Sequence, residues 1–370
     1  MGCASTGDIG SRQLKKNYFI LVPALVPTGP VRGAIAFANA IAGKRMVKLV
    51  SLKLGGAWKP CVDKRVDVIC LGAKHSGWFA KKRAYCDLLT EQGGREKSLS
   101  LSMCFSADML NLLCRRHAQI FSSIRGNLPM NYRLDYGFPG IFLAYFHLSF
   151  LRGFDHFSVM SSAMAKQVSP LCSTKPLLVG NFIDEPPIEE YRENYVPSKR
   201  FKFIFVGSLT ERKQPLLLVE SVRSLREEGY DACLDIIGSG PLEKSIRDLV
   251  SLYDLGSRIK LHGQVESPLF LLSQADAFVL PSLSEGVPRA ALEALHIGLP
   301  CILRRVDGND ELVQPGLNGL LFEDNDSLLP AMKKLLSESK RRSKSLLPDG
   351  FRQKYGSDKI VSYVEKGSNS

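Results

Sequence analysis

Two carboxylates eight positions apart, Glu285 and Glu293, lie in the segment PSLSEGVPRAALEALHIGLP, residues 281–300. A carboxylate only accepts hydrogen bonds, so a pair of them suits a ligand rich in hydroxyl groups. The run DAFVLPS before them reads as a strand. A short Gly/Pro loop then carries Glu285, and a helix opening at about Pro288 carries Glu293 about a turn and a half further on. Proline suits the first turn of a helix, where no N–H is required of it. The free backbone N–H groups near Val287, Arg289 and Ala290, next to Gly286, form a phosphate site at the positive end of that helix. On this spacing Glu293 takes both hydroxyls of a ribose, Glu285 reaches a second sugar, and a diphosphate lies between them. The plain alternative is a solvated helix face with two unrelated glutamates.

Such a loop needs a sheet to hold it, and the rest of the chain supplies the pattern. Short apolar runs alternate with helical stretches, the signature of parallel α/β units. In the first half, strands are expected at Tyr18–Val22, Met46–Leu52, Val66–Leu71, Ser98–Cys104, Gln119–Ile124 and Phe157–Ser161. In the second they are expected at Phe201–Val206, Ala232–Ile237, Arg258–Leu261, Ala277–Leu280, Pro300–Leu303 and Gly319–Phe322. Between the halves, DEPPIEEYRENYVPSK (184–199) turns abruptly to proline and charge and reads as a linker. The expected organisation is a domain over 1–184, a linker over 185–199, a second domain over 200–345 and a tail helix over 346–370. Both domains are doubly wound and Rossmann-like, facing each other across a cleft where strand carboxyl ends place ligands. The segment FPGIFLAYFHLSFL (138–151) is too short to span a bilayer and is expected as a buried helix; an interfacial or acceptor-facing helix is the alternative.

Length and composition set the frame. The 370 residues suit two domains, and 45% hydrophobic with 23% charged residues exclude wholesale disorder. The formal net charge of +12 is divided unevenly, +15 over residues 1–180 and −3 over the remainder. A basic half facing something anionic is the implied arrangement: nucleic acid, a membrane surface or a phosphorylated acceptor. The nine cysteines are scattered without a C-x-x-C, and the six histidines have no metal-ligand spacing. Neither a disulfide framework nor a zinc site is indicated, and a cytoplasmic protein is expected. The opening MGCAST fits the myristoylation pattern at Gly2, with Cys3 placed for palmitoylation, or else simply begins a disordered terminus.

Glu285-x7-Glu293 followed by Gly298-x-Pro300 closely resembles the family 4 glycosyltransferases, which have the GT-B architecture. Further segments match that family in order. FIFVGSLTERKQPLLLVES (203–221), with Gly207, Arg212 and Lys213, resembles its strand, Gly turn and basic segment. IGSGP (237–241) resembles its G-x-G-P turn. IKLHGQV (259–265), with Gly263, resembles the strand and turn beside the nucleotide base. GNDELVQPGLNGLLFEDND (308–326) resembles the segment after the second glutamate. In the first half, PALVPTGPVRGAIAFANAIA (23–42), with Gly29, resembles the Gly loop that approaches the donor phosphates. DHFSVMSSAM (155–164) and PLLVGNFID (176–184) resemble later units of that domain, and SSIRGNLPMNYRLDYG (122–137) looks like a segment of surface-polysaccharide members.

The resemblance implies retaining transfer from a UDP- or GDP-linked sugar to a lipid-linked or glycan acceptor, without a bound metal or other cofactor. Charge growing on the departing diphosphate must then be met by protein donors: Arg212, Lys213 and backbone N–H groups at Gly29 and near Arg289. Glu285 positions the donor sugar, and no general base is assigned. Two departures stand out. Gly207 is followed by Ser208 where many members carry arginine, and Ser123-Ile-Arg125-Gly stands where many carry a histidine. Arg125 then places a positive group near the diphosphate or a phosphorylated acceptor, or is an ordinary surface arginine. A GT-B sugar-nucleotide epimerase is the rival enzyme; a basic nucleic-acid or membrane binder is the non-enzymatic one. A dehydrogenase is disfavoured because no G-x-G-x-x-G follows the first strand. Nucleic acid is disfavoured because no aromatic-interleaved basic motif occurs. The basic half instead implies peripheral attachment to an anionic cytoplasmic leaflet.

Overall fold

Strand β1 (Asn17–Ala24) shows why the first half reads as continuous apolar runs. Tyr18, Ile20 and Val22 enter one core cluster, and Phe19 and Leu21 enter another on the opposite face. A strand covered on both faces has no polar side to alternate with, the condition of parallel sheets. The computed structural model describes residues 16–56, 58–171, 174–192, 199–338 and 344–366. The Gly2 and Cys3 modification pattern lies outside them.

Two parallel sheets result. The first comprises β1, β2 (Val47–Lys53), β3 (Val66–Cys70), β4 (Ser98–Ser102), β5 (Gln119–Ser123), β6 (His156–Val159) and β7 (Leu177–Leu178), in the order β3-β2-β1-β4-β5-β6-β7. The second comprises β8 (Phe201–Val206), β9 (Ala232–Ile237), β10 (Ile259–Gly263), β11 (Ala277–Leu280), β12 (Cys301–Arg304) and β13 (Gly319–Phe322), in the order β10-β9-β8-β11-β12-β13. The expected strands are present within two residues at either end; β7 is too short to leave a pattern. Strand order reverses between β1 and β4 in one sheet and between β8 and β11 in the other. The loops leaving the carboxyl ends at those reversals diverge, and a crevice opens there.

The helices that matter for the site are α1 (Gly29–Ile41), α2 (Leu128–Tyr136), α3 (Phe138–Ser149), α4 (Glu185–Arg192), α5 (Pro215–Glu227), α6 (Arg289–Ile297) and α7 (Gln353–Lys366). Among the described residues no helix is long and apolar enough to cross a membrane. Helix α4 occupies the first half of the stretch read as a linker. Its two prolines fall in the first turn, where they are tolerated, and Ile188 is buried. Residues 193–198 of that stretch lie outside the described residues. The tail crosses back: Ile360 and Val364 of α7 join the first domain's core beside α1. Arg45 there donates from Nε and one terminal nitrogen to the two oxygens of Glu365, at 2.7 and 2.6 Å.

Helix α3 corrects the expectation of a buried element. Gly140, Ala144, His147 and Leu148 face the protein, spaced one and two turns apart, while Phe138, Phe142, Tyr145 and Phe146 are 69%, 65%, 51% and 55% exposed. The small residues fix which side packs. A Cβ at Gly140 would overlap the Tyr132 carbonyl of α2, so the two helix backbones lie against one another only because that residue is glycine.

His296, on α6, ties the crossing segments together. Its Nδ1 faces Arg352 at 2.8 Å and the Ser345 hydroxyl at 3.2 Å, while its carbonyl accepts from Arg192 of α4. Nε2 lies 3.6 Å from a Glu189 oxygen. Burial, with Arg352 and Arg192 close by, pulls the imidazole from 6.5 down to about 4. A folded value below the unfolded one means the unfolded chain binds the extra proton, so this group's stability contribution is present above pH 6.5 and is lost as pH falls towards 4. Stability is expected to fall by about 1.4 kcal/mol per pH unit in that window. Denaturant unfolding at neutral and mildly acidic pH tests this. His296→Gln should flatten the dependence; an unchanged slope in the variant removes the assignment.

Candidate functional site

Segments leaving both sheets converge on one cavity of about 760 Å³ between the domains. The loop after β1 brings Gly29 and, from α1, Arg32. The turn after β8 brings Gly207, Ser208, Arg212 and Lys213. The loop after β11 brings Glu285, Gly286, Val287 and Pro288, continuing into Arg289, Ala290 and Glu293 of α6. The segments after β5 and β7 bring Arg125, Asn131 and Asn181. β1, β8 and β11 flank the order reversals, so the topology itself gathers these loops.

The β8 turn is drawn tight. Gly238 has φ +136, and a Cβ there would overlap the Gly207 carbonyl oxygen. Arg212 and Lys213 then sit in a single 3-10 turn that ends at Gln214, itself at φ +52, before Pro215 opens α5. Arg212 donates to the Ser284 carbonyl at 3.0 Å, and its Nε is buried without a partner. Lys213 is ion-paired with Glu285. Burial holds the Lys213 ammonium below the ordinary lysine value although Glu285 opposes this. For Glu285, burial resists ionisation, but Lys213 and Arg212 overcome it and keep the carboxyl below the usual range. Each partner therefore favours the charged form of the other.

Glu293 is 6% exposed and takes Nε of Arg289 at 2.8 Å, an i,i+4 pair within α6. Arg289 also donates to the Phe182 carbonyl of the first domain at 2.9 Å. Arg125, open between a surface and a site reading from sequence, faces the cavity. It lies beside Asn181 and over the Phe182 ring, its Nε has no partner, and burial lowers its pKa to about 10. Gly263 is the one expected site residue off the cavity wall. At φ +66 it turns the chain and its carbonyl accepts from Gly238, so Gln264 and Val265 line the site instead.

Sequence reasoning missed the residues that lock the domains together. Asp307 adopts φ +50, unusual for a non-glycine residue. One carboxylate oxygen accepts from the Glu285 N–H at 2.8 Å and the Ser284 hydroxyl at 2.9 Å; the other accepts from Asn127 of the first domain at 2.7 Å. Asn181 donates to the Val287 carbonyl at 3.0 Å, and Arg32 to the Glu266 carbonyl at 3.0 Å. A Cβ at Gly286 would overlap the Met160 side chain of the facing domain, so glycine permits the approach. Asp307 sits in VDGND, where a polar residue before glycine is a weak signal of a turn and no signal of a partner 180 positions away.

The cavity walls carry five cations (Arg32, Arg125, Arg212, Lys213 and Arg289) and two carboxylates. That balance, with unfilled N–H groups on two guanidinia, suits a ligand carrying negative charge and hydroxyls. Metal-type ligands gather elsewhere: among the described residues, Glu185, Glu189 and His296 lie close enough together. Arg352 and Arg192 already lie against that imidazole, and their positive charge opposes a metal ion there.

Residues 187–345 match the family model described as glycosyl transferases group 1. A UDP-Gal:alpha-D-GlcNAc-diphosphoundecaprenol alpha-1,3-galactosyltransferase of Escherichia coli is 33% identical over 183 residues, 46% of this chain and 47% of that protein. The chain thus spans less than half the length of this curated relative. Among solved structures, sucrose-phosphate synthase from Thermosynechococcus elongatus superposes with a TM-score of 0.73, at 18% identity and with 94% of each chain covered. Anabaena HepE in complex with UDP and glucose gives 0.70 at 14% identity, covering 94% of this chain and 95% of that one. The second domain therefore carries a glycosyl transferases group 1 match, and the whole chain has the GT-B fold of two Rossmann-like domains around a cleft.

Proposed function

We propose that this protein is a retaining glycosyltransferase that moves a sugar from a nucleotide-diphospho sugar to a hydroxyl of a lipid-linked or polysaccharide acceptor, in the assembly of a cell-surface glycan such as an O-antigen, capsule or exopolysaccharide. The observation that carries this reading is the interdomain cavity in which five cations and two buried glutamates converge. A diphosphate with a sugar at each end presents the complementary chemistry. UDP is favoured over GDP because the galactosyltransferase relative is named for UDP-Gal and the HepE structure holds UDP.

The pairing of side chains suggests how the donor is received. Its diphosphate offers Lys213 and Arg212 stronger charge-assisted partners than they have now, with N–H groups at Gly29 and at the start of α6 completing the cradle. As Lys213 turns to the phosphate, Glu285 is released to accept hydroxyl donors from the transferred sugar. Glu293 keeps Arg289 on one oxygen and presents the other to the ribose. When the bond to the anomeric carbon breaks, negative charge grows on the β-phosphate, and Lys213, Arg212 and Arg125 on the cavity wall oppose it. The resemblance assigns no metal to this step. The acceptor hydroxyl approaches from the face the diphosphate leaves, its oxygen bonds to the anomeric carbon as the bond to the diphosphate breaks, and its proton passes to the departing phosphate oxygen. The basic first domain faces the acceptor and an anionic cytoplasmic leaflet, with no nucleic acid as partner.

Thermal unfolding with a panel of UDP- and GDP-sugars tests the donor. A bound donor at a hundred times its Kd is expected to add about 2.7 kcal/mol of stability, and Glu293→Ala should abolish the shift. If no nucleotide sugar stabilises the protein, the transferase reading fails. Steady-state kinetics on the identified donor separates the roles. Lys213→Ala is expected to lower kcat by about a hundredfold or more, as for the loss of one preorganised electrostatic donor. Asp307→Asn is expected to lower kcat by about tenfold with donor affinity nearly unchanged, because it loosens the Glu285 loop without touching the ligand. A loss confined to KM in the second variant would deny Asp307 that part.

A further inference from the structure

Helix α3 exposes four aromatic rings on one face, Phe138, Phe142, Tyr145 and Phe146, at spacings of four, seven and eight. The outer rings of Phe138 and Phe142 lie edge to face with centroids 5.7 Å apart, and among the described residues neither meets another aromatic ring. Leu134 and Tyr136 at the end of α2 extend the patch. The other side of α3 is held rigidly. His147 lies 2.9 Å from Asp108 and 3.1 Å from the Tyr132 hydroxyl, and Asp108 is held in turn by Ser102 and Ser122 of the sheet. Burying a polar network to fix the inner face leaves the outer one committed to a large exposed apolar area, the mark of an interaction surface.

The charge around it names the partner. Between Phe105 and Phe154 the exposed charged residues are Arg115, Arg116, Arg133, Arg152 and the single acid Asp135. The Arg115 guanidinium lies beside Gly153, just past the end of the aromatic helix. Aromatic rings that settle at the boundary of headgroups and acyl chains, rimmed by arginines that attract anionic lipid, match an interfacial membrane helix. The other end of the same hairpin reaches the site: Asn131 of α2 lines the donor cavity, and Asn127 caps α2 and bonds to Asp307.

We infer that the α2–α3 hairpin is the surface by which this protein lies on an anionic bilayer, with the aromatic face of α3 seated among the headgroups and α2 leading from that surface to the cavity. Delivery of a lipid-linked acceptor along α2 rests on the transferase reading; the docking itself does not.

Co-sedimentation of the full chain with phosphatidylcholine vesicles, with and without phosphatidylglycerol, reads the surface directly. Binding is expected with phosphatidylglycerol and should weaken as salt rises. The double substitution Phe138→Ser/Phe142→Ser should reduce partitioning by about tenfold or more. An unchanged far-ultraviolet circular dichroism spectrum and an unchanged nucleotide-sugar thermal shift report that the variant is folded. Binding of the wild type to neither vesicle, or equal binding of variant and wild type, overturns the proposal. So does a dimer in sedimentation velocity that the double variant dissociates while vesicle binding persists, since the aromatic face would then belong to a second copy. Vesicle binding without any nucleotide-sugar shift would leave the docking standing and remove the transferase reading, so the two fail separately.

Discussion

Five cationic side chains drawn into one cavity repel one another, and the way this protein meets that repulsion organises the rest of the structure. Lys213 is neutralised by Glu285 and Arg289 by Glu293. Arg32, Arg212 and Arg289 each spend a donor on a backbone carbonyl, from Glu266, Ser284 and Phe182, and Arg125 lies on the Asn181 amide oxygen. Two of those acceptors, Glu266 and Phe182, belong to the domain opposite the arginine that uses them. The positive charge a diphosphate would require therefore also draws the domains together. In a low-dielectric cleft an unpaired guanidinium is costly, so the observed pairing and the observed closure support one another.

Closure is registered at the Glu285 loop through Asp307. Its left-handed backbone turns both carboxylate oxygens inward, one to Ser284 and the Glu285 N–H and the other to Asn127 across the cleft. A residue held at positive φ costs of order a kilocalorie. Three hydrogen bonds to this half-buried carboxylate offset that cost, and a glycine at the same place would supply the turn without the bridge. The placement of Glu285 therefore depends on a residue of the facing domain as well as on its own strand.

Much of this was legible from local pattern. The strands were recoverable because parallel sheets demand apolar residues on both faces, and β1 and β8 show it plainly. The loop from Glu285 to Glu293 was recoverable because strand, turn and helix each leave a signal within a few residues. What was not legible is long-range or directional. Nothing near Asp307 points to Asn127, and nothing in the last residues says that Ile360 and Val364 return to pack beside α1. The basic character of Arg125 is visible in the sequence; that it turns towards the cavity depends on Asn181 and Phe182, more than fifty positions on. Helix α3 misleads for a physical reason. Its composition is apolar all round, which ordinarily means burial, and only the small residues Gly140 and Ala144 disclose that one narrow stripe does the packing.

The α2–α3 hairpin joins these scales. Asn127 accepts the Met130 N–H at 3.2 Å to start α2, and with its amide nitrogen it donates to Asp307. One side chain thus sets where the hairpin begins and how it meets the loop that holds Glu285. Tyr132, a turn further on, presents its carbonyl to Gly140 and its hydroxyl to His147, so α3 is referenced to the same helix by backbone and side chain together. Asp108 completes the line into the sheet. A rigid chain of hydrogen bonds and close backbone contact therefore runs from the exposed rings of α3 to the Glu285 N–H. If the proposed transfer takes place here, a surface that holds an acceptor in register with a donor needs that stiffness, because misplacement of about an ångström between reacting groups costs orders of magnitude in rate.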